Sequence, residues 1–283
     1  MISYMPWVKQ FFRDRLAVFG FFIILSLILV AIFAPYLAPT TSIYDVHLSE
    51  RLQPPSSRHL FGTDSQGRDI LSRVIYGSRI TIVIAVIAIG ASLFLGVPLG
   101  LFAGYSQNWL SGTIQRISDI FLSIPQLILA IAIAAVLKPS ITTAILALSL
   151  TYWPWFSRLV YAQARSLKVS TFIEATQALG ASTPRIIFLH VLPNVITPII
   201  IRSTIGMGYT ILTAAALGFL GVGAQPPSPE WGLTLAEARE FLPKTWWFAL
   251  FPGLAIFTVV MGFNMLGDGL RDVIDPRLRI SRK

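Results

Sequence analysis

Six long runs of apolar residues constrain this chain more than any other feature of its sequence. A helix needs about 20 mostly apolar residues to cross the ~30 Å hydrocarbon core of a bilayer. The runs that approach or reach this length are 16–34, 80–104, 120–137, 141–156, 195–220 and 246–266. Charged residues make up only 12% of the chain, about half the share typical of soluble domains. We therefore predict an all-α integral membrane protein with six transmembrane helices.

The first run is expected to remain as a span and not to be cleaved as a signal peptide. Its apolar stretch is longer than the ~7–15 residues of a signal core, and Pro35 directly after Ala34 makes a poor cleavage site. The fourth run could extend to Tyr161. The fourth and fifth runs are diluted by polar residues, so their boundaries are the least sharply defined.

Basic residues in the two tails set the predicted orientation, because lysine and arginine are enriched in cytoplasmic loops. An even number of spans places both tails on one side. The tails carry Lys9, Arg13, Arg15, Arg271, Arg277, Arg279, Arg282 and Lys283. Both termini are therefore predicted in the cytoplasm, with segments 38–79 and 221–244 outside and 157–194 inside. The net charge of +9 then reflects cytoplasmic loops and not a nucleic-acid partner.

The sequence lacks the motifs that would let it work alone. It has no Gly-Lys dipeptide and so no phosphate loop of the GxxxxGK[ST] type, no HExxH and no GxSxG. With no cysteine and three histidines, we expect neither a metal nor a cofactor. None of the six runs contains a carboxylate, although ion-driven carriers usually need ionisable or broken-helix sites at mid-membrane. We expect a conduit powered by another protein.

Three glycines in the second run share one helical face. Gly96, Gly100 and Gly104 are spaced four residues apart, which allows another helix to approach closely. The alternative is chance in a glycine-rich run. The spacing predicts helix packing in a bundle and does not identify a function.

One charged residue, Arg202, lies inside the fifth run. Its helical face continues through Gly206, Tyr209 and Thr213, which are small or polar. This stripe could line a translocation cavity for a polar solute. Alternatively, Arg202 could extend its side chain to the inner membrane interface, and the sequence leaves both interpretations open.

The segment 170–193 predicts two short helices separated by a break. Ser170 or Thr171 can cap the first helix, Gly180 can end it with a positive φ, and Ser182 can cap the second. A compact helix pair outside the membrane favours docking of a partner protein. An ordinary interfacial loop is the alternative.

This segment resembles the EAA loop of ABC importer permeases, whose pattern is EAA-x3-G-x9-I-x-LP. The matching positions are Glu174, Ala175, Gly180, Leu192 and Pro193, whereas Thr176 and His190 depart from the pattern. Segments 61–69, 123–125, 218–227 and 267–276 also resemble the second, C-type permease of dipeptide, oligopeptide, nickel and glutathione importers.

The resemblance implies a type I ABC importer permease fold and a role in the membrane pathway for di- or oligopeptides, with nickel or glutathione as alternatives. It divides the chain into 1–79 and a five-helix core, 80–283, with a coupling loop at 162–193. It also implies a bacterial inner-membrane location and several partners: a similar second permease in a heterodimer, two cytoplasmic ATP-binding subunits and an external solute-binding protein.

The residues of the coupling loop suggest how docking works. Its apolar positions Phe172, Ile173 and Leu179 are predicted to fill a groove on the ATP-binding subunit. Glu174 could accept hydrogen bonds in the first helical turn or pair with an arginine of the partner. A self-contained carrier and a membrane enzyme are the competing functional classes, and the missing carboxylates and catalytic groupings count against both.

Overall fold

The chain is almost entirely helical in the computed structural model, which describes residues 11–40, 42–106 and 108–274. Its helices are α1 (Arg15–Ile32), α2 (Ala34–Leu37), α3 (Ile70–Ser106), α4 (Trp109–Ser123), α5 (Gln126–Val136), α6 (Ile141–Lys168), α7 (Thr171–Ala178), α8 (Thr183–Ile186), α9 (Leu192–Phe219), α10 (Trp231–Ala238) and α11 (Trp246–Ile274). Within these ranges there is no β-strand, and the only β-type pairing is an isolated bridge between Thr63 and Asp69. The predicted all-α class is confirmed.

Each of the six apolar runs lies in helical structure. Four helical stretches are long and apolar enough to cross a membrane by themselves: Arg15–Ile32, Ile70–Ser106, Thr183–Phe219 and Trp246–Val273. The pair α4 and α5 supplies a fifth span if the two are counted together. The remaining run lies in α6, which has 28 residues and ends in the basic residues Arg165 and Lys168.

The third run does not form the continuous span predicted over 120–137. Helix α4 ends at Ser123, and α5 leaves at an angle of 94°. Ile124 and Pro125 between them have ψ values of 133° and 123°, which are extended and not helical. A residue that precedes proline is disfavoured in the α conformation, and proline itself has no N–H for a helical hydrogen bond.

Two helices extend beyond their predicted ends. Helix α3 begins at Ile70, so residues 70–79 are helical instead of belonging to an external loop, and the predicted boundary at residue 79 falls inside this helix. Helix α6 continues to Lys168, so the predicted inner segment 157–194 begins as helix. In both cases the helix continues through the polar residues that flank its apolar run.

Helices α3 and α6 run parallel with their backbones in close contact. A Cβ atom added to Gly96, Gly100 or Gly104 would lie 2.5, 2.5 or 2.7 Å from the carbonyl oxygens of Trp153, Ser157 and Tyr161, respectively. No larger residue fits without separating the helices. The same glycine stripe that was visible in the sequence therefore faces α6 along two turns.

Helix α11 packs antiparallel to α1 and α9, also through glycines. A Cβ atom on Gly269 would lie 2.1 Å from that of Ala17, and one on Gly267 would lie 2.4 Å from the side chain of Ile205. These directions place residues 38–40, 42–69 and 220–245 together at one end of the bundle, which we call the cap. The coupling loop lies at the opposite end.

Candidate functional site

The coupling loop is fixed to the bundle by the side chain of Ile173. This residue is fully buried in an apolar cluster with residues of α3, α6 and α9, including Leu101, Val160 and Val195. The prediction that Ile173 fills a groove on a partner is therefore wrong, because the chain's own core occupies its side chain. Ile173 instead anchors α7.

The opposite face of α7 is open to solvent. Phe172 is 44% exposed and Leu179 is 89% exposed, and Glu174 and Ala175 are exposed beside them. Across the described residues, the Glu174 carboxylate has no ion-pair partner within the chain. This face offers two large apolar side chains and one free carboxylate to another molecule.

Two polar side chains tie the coupling loop to the end of α3. Lys168 Nζ donates to the backbone carbonyl of Tyr105 at 2.7 Å, and Gln177 Nε2 donates to the Tyr105 hydroxyl at 2.7 Å. A displacement of α7 would therefore act on α3 through Tyr105 as well as through the Ile173 cluster.

The break between the two predicted loop helices is present, but the caps differ from the prediction. Gly180 has φ of +84° and follows the end of α7, as expected from its sequence position. Ser170 and Ser182 occupy the N-cap positions of α7 and α8, but neither side chain makes a capping hydrogen bond. Ser170 Oγ instead donates to the carbonyl of Leu167 at 2.5 Å.

The second loop helix is not a separate unit. Helix α8 passes through a π-helical turn, Ile187–Val191, directly into α9, so that Thr183–Phe219 is one 37-residue helical stretch. Pro193 lies next to Leu192 in the first turn of α9, at the entry to the fifth span. This π turn lies directly before Leu192 and Pro193, and proline has no N–H to donate to the preceding turn.

A cavity of about 430 Å³ lies where the break between α4 and α5 meets α6 and α9. Arg202 and Tyr209 line it from α9, and Trp155 lines it from α6. The guanidinium carbon of Arg202 lies 4.3 Å from the centre of the Trp155 ring and 5.7 Å from that of Tyr152. Arg202 therefore packs against aromatic rings. It lies about 29 Å from Thr183 along the helical stretch.

The polar stripe predicted on α9 is divided by its surroundings. Arg202 and Tyr209 reach the cavity, but Gly206 and Thr213 are buried and do not line it. The Tyr152 hydroxyl covers Gly206, at 2.7 Å from where a Cβ would be. Thr213 donates its hydroxyl to the carbonyl of Tyr209 at 2.9 Å. The expectation that all four residues line one face of a cavity is therefore wrong for these two.

Sequence reasoning missed the other walls of this cavity. They come from the break itself, Ile124 and Pro125, from Gln126 at the start of α5, and from Trp155. The signal available in the sequence was Pro125 inside an apolar run, which marks a helix boundary more often than a continuous span.

The cap is organised around buried charges that the sequence presents as an ordinary polar loop. Arg68 and Arg73 are 2% and 1% exposed, and Asp64 is fully buried. Arg68 Nε donates to Asp64 at 2.6 Å, and Arg68 Nη2 donates to Glu237 on α10 at 3.0 Å. Arg73 lies 3.5 Å from both carboxylates. This network joins the segment before α3 to the segment before α11.

Two carboxylates, Glu230 at the N-cap of α10 and Glu237 within it, have raised pKa values. Burial raises the pKa of Glu230 to about 7, although its oxygens accept hydrogen bonds from the backbone N–H groups of Gly232 and Leu233 at 2.9 and 2.7 Å. Burial also raises the pKa of Glu237, against the opposing effect of Arg73 and Arg68. In the described part of the chain, no three His, Asp or Glu side chains are grouped to hold a metal ion.

Two family profiles match the chain in sequence. Residues 96–280 match the profile described as a binding-protein-dependent transport system inner membrane component. Residues 6–55 match the profile described as the N-terminal TM domain of oligopeptide transport permease C. The first match covers the helices that carry the glycine stripe, the cavity and the coupling loop.

Relatives of nearly full length are similar over almost the whole chain. The chain is 48% identical over 277 residues to the dipeptide transport system permease protein DppC of Alkalihalophilus pseudofirmus, covering 97% of this chain and 91% of that protein. It is 39% identical to the glutathione transport system permease protein GsiD of Pectobacterium atrosepticum, covering 97% and 92%.

The fold is also similar to a solved structure. A chain from the inward-facing MetNI methionine ABC transporter aligns with a TM-score of 0.59 at 19% sequence identity, covering 73% of this chain and 98% of that one. At this identity the likeness concerns the fold alone.

Proposed function

Since this chain belongs to the family of binding-protein-dependent transport system inner membrane components, we propose that it forms part of the membrane pathway for di- or oligopeptides in an ATP-driven ABC importer. The C-type permease profile at residues 6–55 and the 48% identity to a dipeptide permease support this role. The 39% identity to a glutathione permease favours a second candidate substrate, glutathione.

The observation that carries the proposal is the two-sided construction of α7. One side chain, Ile173, is buried in a cluster that spans three long helices, whereas Phe172 and Leu179 project into solvent. When a partner moves the exposed face of a helix anchored in this way, the movement is transmitted to α3, α6 and α9, against which Ile173 packs. This is the arrangement a subunit needs when its energy comes from another protein.

The proposed partners are those that membership of this family implies. Two ATP-binding subunits dock on the coupling loops and bind and hydrolyse ATP, which agrees with the absence of a phosphate loop from this sequence. A similar second permease completes the pathway as a heterodimer, and an external solute-binding protein delivers the substrate. The permease itself then carries no catalytic residues.

We infer that the chain lies in a bacterial inner membrane with both termini and the coupling loop in the cytoplasm. Arg165, Lys168 and Arg185 lie at the coupling-loop end of the bundle, and basic residues favour the cytoplasmic side. Lys9, Arg277, Arg279, Arg282 and Lys283 also motivated this orientation and lie outside the described residues.

The orientation can be tested directly because the chain has no cysteine. A Ser56→Cys variant, altered in the cap, should react in intact cells with a reagent that cannot cross the membrane. A Ser281→Cys variant, altered in the C-terminal tail, should react only after the membrane is opened. The reverse pattern would contradict the orientation.

The function is tested by purification and uptake together. The affinity-tagged chain should co-purify with a second permease and ATP-binding subunits, and a deletion strain should lose dipeptide uptake. Uptake of glutathione and of nickel, measured in the same strain, tests the alternative substrates. Loss of nickel uptake with normal peptide uptake would overturn the proposed substrate, and a chain that purifies alone and transports down an ion gradient would overturn the proposed class.

A further inference from the structure

The cavity beside the break in the third span contains a cation without a balancing charge. Across the described residues, Arg202 forms no ion pair, and none of the residues that line the cavity is an aspartate or glutamate. A charge within a membrane-spanning segment is costly unless it faces water or a partner. The unpaired charge of Arg202 therefore indicates that the cavity receives an anionic ligand.

The way Arg202 is held leaves its hydrogen-bond donors free. The guanidinium carbon lies 4.3 Å from the centre of the Trp155 ring, and no Arg202 N–H donates a hydrogen bond within the described residues. The five N–H donors lie in the guanidinium plane and remain available at its edges. Two of them can bind a carboxylate together, which is the geometry that arginine prefers.

A second free donor lies in the same cavity. The side-chain amide nitrogen of Gln126 is shielded from solvent and has no hydrogen-bond partner in the part of the chain that the structure describes. A buried amide without a partner is unfavourable, so a ligand that accepts its hydrogen bond would be stabilised.

Two hydroxyl side chains in the cavity wall are already engaged. Ser123 and Thr151 donate to the carbonyls of Ile120 and Leu148 at 2.8 and 3.1 Å. Among the described residues, the lining donors without a hydrogen bond are the Arg202 guanidinium, the Gln126 amide, the Trp155 indole N–H and the hydroxyls of Tyr152 and Tyr209, and of these only the guanidinium is charged.

We propose that this cavity binds the free carboxylate of the transported solute, with Arg202 as the charged donor and Gln126 as a neutral one. This inference rests on the proposed function and deepens it by naming the substrate class: peptides and other solutes with an unblocked carboxylate. The volume of about 430 Å³ lies within the range of small-molecule sites. Arg202 then acts as a specificity-determining residue in the membrane pathway.

The absence of cysteine from the chain allows the charge in the cavity to be measured. In the assembled complex, a Ser123→Cys variant is treated with an anionic (sulfonatoethyl) and a cationic (trimethylammonioethyl) methanethiosulfonate reagent, and labelling of this chain is followed by mass. The anionic reagent should react faster. Arg202→Gln should lower the anionic-to-cationic rate ratio about tenfold, whereas Arg202→Lys should preserve it.

A matched control site lies on the same helix. Thr113→Cys, on an exposed part of α4, should give a rate ratio that Arg202→Gln leaves unchanged. If Arg202→Gln fails to assemble, the anionic preference at position 123 with Arg202 intact, together with its reduction at high salt, still tests the charge. Failure of both reagents to reach position 123 would overturn the proposal, because such a cavity could not admit a carboxylate.

Substrate protection completes the experiment. A tripeptide with a free C-terminal carboxylate should slow labelling at position 123, and its C-terminal amide should not. Equal protection by the two peptides, or a rate ratio that does not respond to Arg202→Gln, would overturn the carboxylate site. ATP-driven uptake of the same tripeptide by the unaltered importer is measured in parallel, so that loss of the proposed function is distinguished from loss of this site.

Discussion

The cap and the coupling loop lie at opposite ends of one helical bundle and are built on opposite principles. The cap buries charge: Asp64, Arg68 and Arg73 are enclosed and linked to Glu237 across 164 or more residues of sequence. Helix α7 of the coupling loop buries one apolar side chain, Ile173, whereas Phe172 and the adjacent Leu179 are exposed to solvent. The buried charges of the cap are paired within the chain, whereas α7 of the coupling loop presents exposed apolar side chains beside its buried one.

This difference indicates which end is fixed and which end receives a signal. A closed network of buried ion pairs has many partners that must separate together, so it resists local movement. Helix α7, held by the Ile173 cluster and by one hydrogen bond to another helix, from Gln177 to Tyr105, can shift as a unit. We therefore expect the cap to be rigid and the coupling loop to move.

The largest effect is expected from removal of a buried charge in the cap. Asp64→Ala leaves the guanidinium groups of Arg68 and Arg73 without their shared carboxylate, which costs about 3–5 kcal/mol. We expect little or no folded protein in detergent extracts, as measured by size-exclusion chromatography. The control is Arg58→Ala, which removes an exposed ion pair with Glu50 and should cost about 0–1 kcal/mol. Equal yields from the two variants would contradict the claim that the cap depends on its buried charges.

A neighbouring pair of residues in the coupling loop separates anchoring from docking. Ile173→Ala opens a void in a closed cluster and should lower the free energy of unfolding by about 2–5 kcal/mol. Phe172→Ala should change stability by less than about 0.5 kcal/mol but reduce retention of the ATP-binding subunits about tenfold. Thermal unfolding and co-purification measure the two effects. If both variants lost stability and both kept the subunits, the two-sided description of α7 would be incorrect.

Two glycines with similar backbone angles allow the same substitution to be made at both ends. Gly180 in the coupling loop has φ of +84° and Gly221 in the cap has φ of +79°, and neither has an atom within 4 Å of a built Cβ. Valine at either position should cost about 1–2 kcal/mol through backbone strain alone. Only Gly180→Val should uncouple the two activities, so that reconstituted vesicles hydrolyse ATP without a matching uptake of peptide. The same loss of coupling in Gly221→Val would remove the distinction between the two ends.

The smallest effect concerns pH and the cap. Because the folded protein raises the pKa of Glu230 from 4.5 to about 7, folding favours its protonated form. This contribution to stability is fully present below pH 4.5 and is lost as pH rises towards 7. Glu230→Gln should therefore flatten the fall in thermal midpoint between pH 5 and 7 in detergent. An unchanged slope would show that Glu230 does not titrate in this range.

Apolar run length was sufficient to predict the class of the fold and the order of the helices. It was not sufficient for the third span, because Pro125 turns α5 away from α4 within a run that is mostly apolar. A proline inside a membrane helix is often tolerated, as Pro98 and Pro154 are here. Only the packing around each proline decides whether the helix breaks.

The candidate sites were predictable where the information is local. The positive φ of Gly180 and the glycine stripe facing α6 follow from residue type and spacing. The burial of Ile173 and the exposure of Phe172 do not, because the two are adjacent apolar residues whose roles depend on the distant α3, α6 and α9. The contact of Arg202 with Trp155 and that of Arg68 with Glu237 join elements far apart in sequence, and spacing along the chain carries no sign of either.

The most direct test of the account is a reconstitution of the importer with the coupling loop altered on its exposed face alone. Vesicles containing this chain, its partner permease, the ATP-binding subunits and the external binding protein are loaded with ATP, and uptake of a radiolabelled dipeptide is measured. The account predicts ATP-dependent uptake by the unaltered complex, none without ATP, and a large loss on Phe172→Asp with this chain still folded. Uptake that needs no ATP, or that Phe172→Asp leaves unchanged, would contradict the claim that α7 receives the driving force for transport.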